Sequence, residues 1–92
     1  MITRELQPTA YTANQTFVLD PNYEHTLTLN GSGTWQYWDG TAYADFAEST
    51  GTSQGFIAVP PPTGKVQLAV TSGTVTAGFH RFLPRAINTK GR

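Results

Sequence analysis

Lys65-Val66-Gln67-Leu68-Ala69-Val70-Thr71-Ser72-Gly73-Thr74-Val75-Thr76-Ala77-Gly78-Phe79-His80 alternates apolar and polar residues, with one interruption at Ser72-Gly73. A period of two is a strand pattern, because successive side chains of a strand point to opposite faces. Folded as a hairpin about Ser72-Gly73, the segment pairs Val70 with Val75, Leu68 with Ala77 and Val66 with Phe79, all on one face. Lys65, Gln67, Thr71, Thr74, Thr76 and His80 take the other face. A one-residue slip destroys that separation, so the register is well specified, and a four-residue loop, Thr71–Thr74, keeps the same pairs.

The same alternation recurs upstream. It predicts strands over Thr3–Gln7, Gln15–Leu19, Tyr23–Leu29, Thr34–Trp38, Thr41–Phe46 and Phe56–Val59, besides Lys65–Val70 and Thr74–Phe82. Turn-forming clusters separate them: Asp20-Pro21-Asn22, Asn30-Gly31-Ser32-Gly33, Asp39-Gly40, Ser49–Gly55 and Pro60–Gly64. No window carries apolar residues at helical spacing over a helical length. Short strands at this spacing predict an all-β fold, an antiparallel β-sandwich with a jelly roll as one form of it.

Asp39-Gly40 is a hairpin signal of the two-residue kind. It places Trp35 opposite Ala44 and Tyr37 opposite Ala42, with Phe46 on that side, and large residues facing small ones suit a core. Gln36 then faces Tyr43 and Trp38 faces Thr41 on the other side, beside Asp45. Trp38 and Tyr43 among polar groups are the rings expected to meet a partner, since each joins a large apolar area to a hydrogen-bonding edge. The alternative is that the sandwich covers both.

The chain is 92 residues with no cysteine, which makes it one domain and excludes a disulfide scaffold, a thiolate zinc site and a thiol nucleophile. Its core is expected over about 15–83, with extended arms over about 1–14 and 84–92. Small size without cross-links predicts self-association. The opening residues lack the apolar run of an export signal, and no run is long enough for a membrane helix. Formal charge is zero, yet all six acids precede residue 49 against one base, Arg4, while the rest holds five bases and no acid. The C-terminal arm contributes Arg85, Lys90 and Arg92, which are expected to meet a charged partner or a neighbouring copy.

Residues with catalytic chemistry are sparse. There is no phosphate-cradling glycine loop with a lysine, no G-x-S-x-G elbow and no H-E-x-x-H. His25 alternates with Tyr23, Leu27 and Leu29, as a core-edge histidine would, and His80 falls on a polar face. Asp39, Asp45 and Glu48 could build a hard-cation loop, but the Asp39-Gly40 turn already accounts for Asp39. No catalytic residue, metal or cofactor is expected, and a net charge of zero argues against nucleic acid as the partner. Pro60-Pro61-Pro62 reads as a stiff connector.

Two stretches carry a resemblance: Gly33-Thr34-Trp35-Gln36-Tyr37-Trp38-Asp39-Gly40-Thr41-Ala42-Tyr43, and the segment from Lys65 to Ala77. Both are similar to hairpins of small β-sandwich virion proteins of tailed bacteriophages, such as head decoration (cement) proteins and fibre modules. The resemblance implies a non-enzymatic structural protein made in the bacterial host cytoplasm and built into the virion, with a trimer as the favoured homo-oligomer, where it stabilises the head through contacts with the major capsid protein or another virion protein. A fibre module of the same style would instead bind a glycan or receptor, with Trp38 and Tyr43 as its stacking platform.

Overall fold

The computed structural model describes residues 5–84. They form six strands: β1 (Glu5–Tyr11), β2 (Gln15–Val18), β3 (Tyr23–Trp38), β4 (Tyr43–Asp45), β5 (Ser53–Ala58) and β6 (Lys65–Pro84). Every pairing is antiparallel and all six belong to one sheet, which is not closed. The long strands β3 and β6 pair along their length as a spine. β2 and β1 line the far edge of β6 in succession, and β5 and β4 line the far edge of β3.

The expected hairpin at Ser72-Gly73 does not form: β6 runs straight through it, and Ser72 lies opposite Ser32 of β3. Asn30 is opposite Thr76 while Gly33 is opposite Val70, so three steps along β3 match six along β6. The surplus of three residues is a bulge, and because three is odd it exchanges the faces of β6. Val66 and Leu68 are buried before the bulge; Val75, Ala77 and Phe79 are buried after it. β3 keeps one parity throughout, with His25, Leu27, Leu29 and Trp35 all buried. A parity switch at a Ser-Gly step looks the same in sequence whether the chain reverses or bulges, so the alternation alone suggested a turn.

Asn30–Gly33, expected as a second turn, is likewise the middle of a strand. Its glycines let the spine strands close at the bulge. A Cβ at Gly31 (φ 128°) would lie 2.9 Å from the Thr74 carbonyl oxygen, and one at Gly33 would lie 2.7 Å from that of Ala69.

Bent at these bulges, the sheet brings its two halves onto one core. Trp35, from the second half of β3, packs its ring 6.0 Å from Phe79 and 6.0 Å from Phe17. Its indole N–H donates to the Thr28 carbonyl, in the first half of the same strand, at 3.0 Å. Trp35 is fully buried, as its alternation predicts. His25 is also fully buried, with Nε2 donating to the Asp20 carbonyl at 2.9 Å.

The N-terminal arm is corrected over residues 5–11. These form β1, paired to β6 from Glu5↔His80 to Tyr11↔Val75, with Leu6 and Tyr11 packed against the core. A bulge between Leu6 and Thr9 lets both side chains reach inward. Gly78 makes room for it, since a Cβ there would meet the Leu6 carbonyl oxygen at 2.7 Å. Pro84 belongs to β6, opposite Tyr23. The rest of the C-terminal arm, with Arg85, Lys90 and Arg92, lies outside the described residues.

Candidate functional site

The tip of the β3–β4 hairpin is built by one carboxylate. Asp39 Oδ1 accepts from the backbone N–H of Thr41 and of Ala42, each at 2.9 Å, and from the Thr41 hydroxyl at 3.0 Å. The Asp39 N–H donates to the Ala42 carbonyl at 2.9 Å. The loop is therefore four residues, Asp39–Ala42, instead of the expected two. The N–H groups of Thr41 and Ala42, foremost among these donors, hold the exposed Asp39 carboxyl below its ordinary pKa.

The longer loop shifts the pairing by two residues: Tyr37 faces Ala44 and Trp38 faces Tyr43. An even shift leaves every side chain on its predicted face. Trp38 and Tyr43, expected only to share a face, become direct cross-strand neighbours, with ring centroids 5.2 Å apart at 68°. Lys65 Nζ sits 5.6 Å from the Trp38 ring centroid. One row along the sheet, Gln67 donates to Gln36 and Gln36 to Asp45, each at 2.8 Å. These two rows hold Trp38 and Tyr43, both half-buried, in a fixed array.

Beside Trp38 opens a cleft of ≈ 700 Å³. Tyr37, Trp38 and Phe46 form one wall, with Asp39 and Gly40 at its lip. Val59, Pro61 and Pro62 form the other, ending at Thr63. Tyr37 and Phe46 support each other at a centroid distance of 5.1 Å, and Phe46 rests on Phe56 at 5.7 Å. The proline wall is anchored by buried Pro60 and by a turn in which the Gly64 N–H donates to the Pro61 carbonyl at 2.8 Å. The Leu19 N–H donates to Gly64 O at 2.8 Å and ties that turn to the end of β2.

Sequence reasoning placed Trp38 and Tyr43 on one face of the hairpin, where the structure has them, and did not reveal the cleft. It assigned Tyr37 and Phe46 to the core and Pro60–Pro62 to a connector. The available signal was the coincidence of a proline run with an aromatic hairpin, which gains meaning only once the sheet bends. Phe46, at 9% exposure, serves core and cleft together. The hard-cation candidate does not assemble: Asp39 Oδ1 is taken by its turn, Asp45 Oδ1 by Gln36, and no three metal-ligating side chains group among the described residues. His80 is exposed, as expected for its polar face.

The cleft can hold a guest chiefly by apolar contact and ring packing. Asp39, the carboxylate lining it, is engaged by three donors of its own loop. No protein-family model, no curated protein and no solved structure matches the chain.

Proposed function

We propose that this chain is a non-enzymatic structural protein of a tailed-phage virion, which decorates or cements the head by docking on the major capsid protein or another virion protein. The observation that carries the reading is the cleft beside Trp38: aromatic on one wall, proline on the other, and built on two braced rows of a sheet. Half-buried Trp and Tyr on a rigid strand pair are the residue types that dominate protein–protein anchoring. The hairpin's resemblance to small virion proteins of tailed phages is in keeping with this reading, although it covers decoration proteins and fibre modules alike. In this reading the two halves of the bent sheet act as the layers of a sandwich across Trp35 and Phe79.

A protein partner suits the surface better than a glycan. A saccharide platform needs an open ring face with polar groups converging around it. Here Lys65 and Tyr43 both pack on Trp38, and the cleft wall beyond it is proline and valine.

The test is co-sedimentation of the protein with purified phage heads. Trp38→Ala should leave the fold intact and lower occupancy at least tenfold, a loss of about 1.4 kcal/mol or more. Undiminished occupancy, or a wild-type protein that stays in the supernatant, overturns the reading.

A further inference from the structure

We propose that the free edge of β5 joins two copies of this chain, strand against antiparallel strand, about a two-fold axis at Gly55. This inference is independent of the cleft and of what the cleft binds.

An edge strand offers unpaired N–H and C=O groups to any chain that can pair with it, and proteins normally blunt such edges. Three of the four edge strands among the described residues are blunted. β1 carries Glu5, Pro8 and a bulge; β2 is four residues long and β4 is three, ending in Asp45. β5 differs. Ser53-Gln54-Gly55-Phe56-Ile57-Ala58 has no charge and no proline, and pairs with β3 over six residues without a register shift. Among the described residues no strand pairs with its other side.

The ladder shows which groups are free. The Gly31 N–H donates to Thr52 O at 2.9 Å, just before β5 in the same register. Antiparallel hydrogen-bonded pairs alternate, so Gln54, Phe56 and Ala58 direct their backbone groups to β3. Ser53, Gly55 and Ile57 direct theirs outward, and all three are exposed, Ile57 at 47%.

Two features make a second copy the fitting occupant. Residues opposite each other in an antiparallel pair lie on the same side of the sheet. Gln54 and Ala58 are buried on the core side, so pairing β5 with itself must match even with even and odd with odd positions. Centring on Gly55 does this: Gly55 meets Gly55, Ser53 meets Ile57, and all the outward groups of Ser53, Gly55 and Ile57 are used at once. The outer face then fits as well. A Cβ at Gly55 would meet nothing within 4 Å, so no side chain obstructs the axis, and each exposed Ile57 packs across from the partner's Ser53.

Sedimentation equilibrium at tens of micromolar should give twice the single-chain mass of 10.0 kDa. Ile57→Lys sets a charge against each copy's strand, and Gly55→Pro removes an outward N–H that β3 does not use; each should return the mass to one chain with the thermal melt of β3–β5 intact. Amide exchange at Ser53, Gly55 and Ile57 should slow as wild-type protein concentration rises, which also covers a variant that folds poorly. Trp38→Ala should leave the dimer unchanged, separating this edge from the cleft. A monomer or trimer, exchange at those amides independent of concentration, or a dimer that survives both β5 substitutions with the fold intact would each overturn the proposal.

Discussion

Trp35→Ala tests the bend directly, because Trp35 is where the two halves of the sheet meet. Its ring is fully buried between Phe17 and Phe79, and its N–H is committed to Thr28 O. Truncating a buried tryptophan costs about 3–5 kcal/mol through lost transfer energy and the cavity left behind. A chain of this length has a total stability of roughly 5–14 kcal/mol, so the variant keeps a fraction of its margin or unfolds. With a urea dependence of about 1.5 kcal/mol per molar, a loss of about 4 kcal/mol moves the midpoint down by about 2.5 M. Trp38 remains as the sole tryptophan and reports the transition by fluorescence. Trp35→Phe should recover most of the loss, since a ring would still meet Phe17 and Phe79. A midpoint within about 0.5 M of wild type for Trp35→Ala would refute a shared core closed over this residue.

Gly64→Ala should destabilise by at least about 2 kcal/mol in a denaturant titration, because its φ is 74° and the new Cβ would stand 2.1 Å from Leu19 O. Gly40→Ala, at φ 112° in open space, should cost clearly less, and equal losses would show that the Leu19 contact is not the constraint. His25 makes stability depend on pH. Burial lowers its pKa, so the unfolded chain binds the extra proton more readily; stability is full above the ordinary value near 6.5 and falls as pH drops below it. A urea midpoint that stays level from neutral pH to pH 5 would contradict this, as would the same slope in His25→Gln.

Alternation carried most of the fold. Val66, Leu68, Val75, Ala77, Phe79, Trp35 and Leu27 are buried as the period of two requires, and the antiparallel all-β class follows from them. Connectivity was not legible at two places, for one reason. Asn30–Gly33 and Ser72-Gly73 carry the residue types of turns because bulges need the same backbone freedom. Whether such a step reverses the chain depends on which strand is its partner, and that information lies some forty residues away. The Asp39 loop shows the smaller version of this. Asp-Gly favours a two-residue turn, but the Asp39 carboxylate finds three donors when the loop has four, and that local gain shifts the register. The shift is even, so the faces, and with them Trp38 and Tyr43, were predicted correctly although their pairing was not.

The cleft is a product of the bend and could not exist in a flat version of the same sheet. Val59 follows directly on β5, whose last residue, Ala58, pairs with His25 near the start of β3. Trp38 ends β3, thirteen residues further along the strand. In an extended strand those positions would be about 40 Å apart. Here both line one cleft, because the bulges fold the second half of β3 and β6 over the first. The parity switch in β6 serves the same geometry: if these three residues continued the strand regularly instead of being taken up by the bulge, Val75, Ala77 and Phe79 would face away from Trp35. The glycines at positions 31 and 33 and the loop at Gly64 are therefore linked to the surface beside Trp38 through the curvature of the sheet. Substitutions that relax the bend should separate the walls of the cleft before they expose the core, so partner binding should be lost earlier than folding.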